Sequence, residues 1–139
     1  MKTPCELIVS HVLPVAKGSL ARELVNTHGM TQVQVAKLFG VTSAAVSQYI
    51  KGVRGGNSII DMSAYKDDFY GLIVELAEKI VAGMDVTEAF CQVCTYVYDS
   101  GLIKALYVFE GYPADELGFL DNSRAGISLE NDTNELRLR

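Results

Sequence analysis

The chain has no run of 18 apolar residues, which is the length that a membrane-spanning helix needs. Its apolar N-terminal segment, residues 7–16, is broken by Ser10, His11 and Pro14 and lacks a basic flank, so it makes a poor signal peptide. Three cysteines are an odd number and do not suit the disulfide framework of a secreted domain. These absences predict a cytoplasmic protein without a membrane partner.

The residue arrangements typical of enzymes are also missing. No nucleophile lies at a recognisable spacing from a base, and no glycine-rich loop suits a phosphate. Asp67 and Asp68 are adjacent, so on a helix their carboxylates point apart towards solvent. The chain shows no internal repeat and no strong strand pattern. The sequence therefore predicts an all-α protein that is not an enzyme.

Acidic residues are scarce in one half of the chain only. The whole chain of 139 residues has a net charge of −5, which by itself would argue against a nucleic-acid partner. Residues 1–58, however, contain six Lys/Arg and two Asp/Glu, whereas residues 59–139 contain six and fifteen. This asymmetry suggests that the first half lies near phosphate and that the second half lies away from it.

The N-terminal segment is predicted to form two helices. Thr3-Pro4-Cys5-Glu6 has a capping residue, a proline at the first helical position and a glutamate three residues after the cap. Pro14 should kink or end this helix, because it lacks the backbone N–H that a helix needs. A second helix is expected from about Val15 to His28.

Residues 31–50, TQVQVAKLFGVTSAAVSQYI, follow the pattern of a helix, a tight turn and a second helix. Ala36 is small where two helices must approach, and Gly40 lies where the turn needs a positive φ. The apolar residues that face inward at helical spacing are Val35, Phe39, Val41, Val46 and Ile50. The pattern predicts a helix-turn-helix and makes DNA binding the leading hypothesis, although such units also occur in domains that bind only protein.

The second helix of this unit has a face suited to the major groove of double-stranded DNA. Thr42 is the expected N-cap, which leaves the first amides of the helix facing phosphate, and Gln32 is the expected contact to backbone phosphate. Lys51 and Arg54 add a basic segment beyond the helix. The residues predicted to read base edges are Ser43, Ala44, Ser47 and Gln48.

Three regions are expected: a helix-turn-helix DNA-binding domain over residues 1–58, a helical dimerisation or sensor region over 59–111, and a loop or flexible tail over 112–139. The middle region begins with an amphipathic helix that should pack on the N-terminal helices or on a second copy. Its apolar stripe is Phe69, Leu72, Ile73, Leu76, Ile80 and Met84. Because helix-turn-helix regulators usually read two half-sites about 34 Å apart, a homodimer is expected, formed through this helix and the next one, residues 85–100.

The cysteines have two interpretations. Cys91 and Cys94 form a CxxC pair on one side of a helix and, with Cys5, are possible ligands of zinc or an iron–sulfur cluster, or a redox pair. Three thiols are one ligand short of a four-ligand site, and neither histidine has the spacing of an obvious fourth. Packing is the favoured interpretation, because free cysteine behaves as a small hydrophobe, and no cofactor is then needed.

The first half of the chain resembles archaeal XRE-type helix-turn-helix regulators, on residues 3–9, 20–24 and 35–50. A similar DNA-binding part heads the archaeal repressors of thiamine biosynthesis genes, although this chain is too short for their effector domain. The resemblance implies an operator-binding regulator. Short members of the family carry a CxxC, then a Gly-Leu pair followed by a further Cys and a His. Here Lys104 and Tyr107 stand in that region, and Ser43 stands where the family commonly has Gln.

Two other functions fit the same sequence. One is a protein–protein adaptor or antitoxin-like partner that uses the helix-turn-helix scaffold without operator control. The other is a regulator in which the cysteines sense a metal or the redox state. An adaptor should show little salt-dependent affinity for DNA, whereas a sensor should bind DNA differently when it is oxidised or stripped of metal.

Overall fold

The computed structural model describes residues 2–53, 56 and 58–120, and this part of the chain contains only helices, turns and their connections. The all-α prediction is confirmed. None of the helices within these residues has the length and apolarity needed to cross a bilayer. The helices are α1 (Pro4–Leu7), α2 (Leu13–Asn26), α3 (Gln32–Phe39), α4 (Ser43–Val53), α5 (Lys66–Val81), α6 (Val86–Asp99) and α7 (Leu102–Phe109), with a π-helical segment at Ile8–Val12 and a 3-10 helix at Ala114–Glu116.

The first helix begins as the sequence predicts. Thr3 N–H donates to Glu6 Oε2 at 2.8 Å, and Glu6 N–H donates to Thr3 Oγ1 at 3.3 Å, which is a capping box. Pro14, however, does not end the helical run. The backbone widens into π-helical turns just before it, with Leu13 N–H bonded to Ile8 O, and then continues as α2. The wider turn accommodates a proline ring that would clash in a regular helix.

The described part of the chain divides into two compact units, one ending at Cys94 and the other beginning at Thr95, and the division falls inside α6. The amphipathic helix α5 packs against α2, so it lies in the same unit as the N-terminal helices.

The first unit is organised around α2, which packs against α3, α4 and α5. Half of its residues are buried, and several of them are small, so neighbouring helices can approach closely. The largest fully buried side chains of the unit are Phe69, Leu7, Leu20, Leu24, Ile60, Leu76 and Val12.

The apolar stripe of α5 is covered largely within its own chain. Phe69, Ile73, Leu76 and Ile80 are all buried. This is the first of the two fates expected for the stripe, and it means that α5 does not need a second copy to cover it. Val74 and Val81 remain exposed on other sides of α5, as single apolar residues often do.

In the second unit, Tyr107 of α7 is buried and makes edge-on ring contacts with Tyr112 at 5.5 Å and Phe119 at 6.3 Å between centroids. Leu117 is also buried. Tyr112 and Phe119 therefore contact α7, whereas most other residues between 112 and 120 are exposed. The rest of the predicted tail lies outside the described residues.

Candidate nucleic-acid interface

The helices α3 and α4 are joined by a three-residue connection whose geometry follows from its sequence. Gly40 ends α3 with φ of 69°, the left-handed conformation that was predicted for it. Val41 N–H then reaches back to Ala36 O at 3.0 Å, which closes the end of α3. Ala36 and Val46 are buried, so α3 and α4 meet through a small residue and a valine. Of the other predicted inward residues, Val35 is buried, and Phe39, Val41 and Ile50 are half-buried.

Both helices have side-chain caps at their N-termini. Thr42 Oγ1 accepts from Ala45 N–H at 3.1 Å, as predicted for the cap of α4. The sequence reasoning missed the cap of α3. Thr31 and Gln34 form a capping box, with bonds of 2.9 and 3.1 Å, and the Thr-x-x-Gln spacing is its signature. These caps fix where each helix begins and leave the N–H groups of Ser43 and Ala44 without an intrahelical partner.

The predicted reading residues share one face of α4. Ala44 and Gln48 are four residues apart and exposed, and Ser43 and Ser47 form a parallel row in which Ser47 is half-buried. Lys51 is exposed one turn further along. Gln32, at the start of α3, and Thr42 are exposed as well. Arg54, the remaining predicted contact, lies outside the described residues.

No acidic residue occurs between Glu23 and Asp61 in the sequence. The whole of α3 and α4 is therefore free of carboxylates, and its described cations are Lys37 and Lys51, both exposed. An anion approaching this face meets no negative side chain on either helix, which favours phosphate electrostatically.

The buried side of α4 rests directly on the backbone of α2. An added Cβ on Gly18 would collide with Tyr49 O and would lie 2.6 Å from Val53 Cγ1. Lys17, the preceding residue, places its Nζ 5.7 Å from the centroid of the Tyr49 ring. On the neighbouring helix, Phe39 makes an edge-on contact with Phe90 of α6 at 5.7 Å. The contacts at Tyr49 and Val53 hold α4 against α2, and the Phe39 contact holds α3 against α6.

A hydrogen-bonded turn follows α4 and precedes α5. Ser58 and Asp61 bond reciprocally, Ser58 N–H to Asp61 Oδ2 and Asp61 N–H to Ser58 Oγ, both at 3.1 Å. Tyr70 of α5 donates its hydroxyl to Asp61 Oδ1 at 2.7 Å. Burial raises the pKa of Asp61, but the hydrogen bonds from Tyr70 and Ser58 together outweigh it and hold the pKa below its ordinary value. Burial, followed by the bond to Asp61, raises the pKa of Tyr70 to about 12.

Replacing Tyr70 by phenylalanine is expected to destabilise the protein by about 1–2 kcal/mol at neutral pH, because a hydrogen bond to a carboxylate is lost. The depressed pKa of Asp61 stabilises the fold above the unfolded value of about 4, and this stabilisation is lost as pH falls through the folded pKa. The difference between wild type and Tyr70→Phe should therefore shrink in acid. Urea unfolding followed by circular dichroism over a pH series measures it.

The stability difference between wild type and Tyr70→Phe should also shrink in alkali, for a separate reason. Because the folded protein disfavours the Tyr70 phenolate, wild-type stability should fall as pH rises from about 10 towards a pKa of about 12, and this contribution to the fall should vanish in Tyr70→Phe. A stability difference that stays constant at all pH values would contradict the assigned hydrogen bond.

The cysteines are not packed as expected. Cys5 and Cys91 are exposed and Cys94 is half-buried, so the packing interpretation of the CxxC pair is wrong for Cys91. Burial, and then the charges of the Cys91 and Cys5 thiolates, raises the pKa of the Cys94 thiol. Within the described residues, no group of three or more His, Cys, Asp or Glu side chains is placed to hold a metal ion.

Iodoacetamide is expected to alkylate Cys5 and Cys91 several times faster than Cys94 at neutral pH. The thiolate is the reactive form, and Cys94 is both less accessible and harder to deprotonate. Mass spectrometry of timed digests measures the three rates, and the urea-unfolded chain is the control in which they should converge. If Cys94 reacted first in the folded protein, the burial assigned to it would be wrong.

Comparison of the chain with family models, curated proteins and solved structures finds no match.

Proposed function

We propose that this protein is a sequence-specific, double-stranded DNA-binding transcriptional regulator. The single observation that carries the proposal is the exposed face of α4, made of Ser43, Ala44, Gln48 and Lys51, with half-buried Ser47 between them. From Ser43 to Lys51 this face extends about 12 Å, since a helix rises 1.5 Å per residue. A helix with its side chains is about 10–12 Å across, so it fits the major groove, which is about 12 Å wide.

The chemistry of the face suits base edges. The Gln48 amide matches the donor and acceptor pair of adenine, the serine hydroxyls can donate or accept, and the Ala44 methyl suits the methyl group of thymine. Gln32 and the uncapped amides at the start of α4 suit phosphate oxygens, as does Lys51. The absence of carboxylates from α3 and α4 favours the same partner.

We further propose that the protein acts as a homodimer in the cytoplasm. A single α4 helix reads only a few base pairs, and two helices about 34 Å apart would read two half-sites. The apolar stripe of α5 is already covered by its own chain, so the second unit offers a better dimer surface than α5 does. Phe109 and Phe119 there are 56% and 50% exposed.

The test is selection of binding sites from a random duplex pool, followed by fluorescence anisotropy titration of the selected site. We expect binding that weakens steeply with salt, because each neutralised phosphate releases counterions. Analytical ultracentrifugation of the complex should show two chains per duplex. No duplex binding at about 50 mM salt would contradict the proposal and favour an adaptor role.

A matched pair of variants distinguishes a specific DNA interface on α4 from an effect of net charge alone. Lys51→Gln and Lys79→Gln remove the same charge from exposed positions, one on α4 and the other on α5 beside Glu75. Only Lys51→Gln should weaken binding. Equal weakening by both would mean that the α4 face is not the interface.

A further inference from the structure

A cavity of about 490 Å³ opens in the first unit between α2, the end of α4 and α5. This volume lies in the range of small-molecule sites, about 300–1,000 Å³. No part of the predicted DNA-reading face lines it. The side chains that line the cavity include Ser19, Arg22, Glu23, Asp61, Tyr70 and Ile73.

Charges of both signs line the cavity without neutralising each other. Arg22 and Glu23 are adjacent on α2, and within the described part of the chain neither takes part in an ion pair. The Asp61 carboxylate also lines the cavity, and its oxygens accept hydrogen bonds from Tyr70 and Ser58. Among the described residues, one cationic and two anionic side chains therefore line the cavity.

A buried hydroxyl adds hydrogen-bonding capacity. Ser19 is 8% exposed, and its Oγ has no hydrogen-bond partner within the described part of the chain. Burial raises the pKa of Tyr70, and the nearby Ser19 hydroxyl opposes that rise. Buried hydroxyls usually have a partner, so one that borders a cavity is suited to a ligand. The lining also includes three apolar side chains, Val53 of α4 and Ile73 and Val74 of α5.

We infer that this cavity binds an α-amino acid with an apolar side chain. Arg22 would hold the carboxylate, since a guanidinium matches it with two parallel hydrogen bonds. Glu23 and Asp61 would hold the ammonium group, and the valine and isoleucine wall would cover the side chain. The inference does not rest on the proposed function, because none of the proposed reading residues lines the cavity.

The test is isothermal titration calorimetry of the full chain with valine, leucine, isoleucine, methionine and phenylalanine in turn. We expect at least one L-amino acid to bind at millimolar concentration or below. If leucine binds, the control probes are isopentylamine, which lacks the carboxylate, and 4-methylpentanoate, which lacks the ammonium group. Each should bind about tenfold or more weakly than leucine, because it leaves charged groups of the cavity without a partner. The corresponding amine and acid serve for any other amino acid that binds.

Variants locate the site. Arg22→Gln should weaken amino-acid binding about tenfold or more, whereas Lys37→Gln, which removes a similar charge from α3, should leave it unchanged. Circular dichroism checks that both variants fold, and if Arg22→Gln does not fold, Glu23→Gln takes its place with the same expectation. Binding by none of the five amino acids, or equal binding by wild type and the cavity variants, would overturn the inference.

Discussion

Gly18→Ala should destabilise the protein by about 1–3 kcal/mol, the usual range for forcing an extra methyl group into a packed interface. The reason is geometric. The new Cβ would collide with Tyr49 O and would lie 2.6 Å from Val53 Cγ1, so α2 and α4 must move apart. Because the obstacle is a backbone carbonyl, it cannot be relieved by a change of rotamer. Chemical denaturation followed by circular dichroism measures the loss.

The control is an alanine at a glycine that faces open space. Gly71 lies inside α5, is exposed, and has no atom within 4 Å of its potential Cβ. Gly71→Ala should therefore stabilise the protein by about 0.5–1 kcal/mol through helix propensity alone. If Gly18→Ala were as stable as Gly71→Ala, α2 and α4 would have to be farther apart than the structure shows.

The same substitution connects packing with the proposed function. Tyr49 and Val53 lie on the buried side of α4, and the proposed reading residues lie on its exposed side. Moving α4 away from α2 would therefore move the reading face as well. Gly18→Ala that remains folded should bind duplex DNA more weakly, since recognition depends on how a helix is oriented in the groove.

The features that the sequence predicted well are local. The turn at Gly40, the cap at Thr42 and the capping box at Thr3 each depend on residues within four positions of one another, so a short pattern identifies them. The closeness of α2 and α4 was not predicted. Gly18 is one glycine in a helix, and nothing near it in the sequence indicates that Tyr49 lies against it.

Other failures have the same origin. The α5 stripe was correctly recognised as apolar, but a periodic pattern does not say whether its own chain or a second copy covers it. Cys91 was expected to pack because of its residue type, whereas its exposure depends on how α6 lies in the unit. The cavity was missed because Arg22, Asp61 and Tyr70 come from three separate segments. Such sites depend on tertiary contacts and leave no motif.

Gln48→Ala should lose discrimination between bases, by about 1–3 kcal/mol if the amide makes a good bidentate contact. The side chain is exposed in the middle of the proposed reading face, so its removal should affect the DNA interface and little of the core. Anisotropy titrations of the selected site and of single-base variants of that site measure the loss as a smaller spread of affinities.

Lys51→Gln is the informative partner of Gln48→Ala, because a phosphate contact carries no sequence information. It should weaken binding to every sequence by a similar factor and reduce the salt dependence by about one unit of slope per subunit. Gln48→Ala should therefore change the base preference, whereas Lys51→Gln should change the salt dependence. Unchanged base preference in Gln48→Ala, with binding intact, would mean that α4 contacts DNA through another face, although the protein would still be a DNA-binding protein.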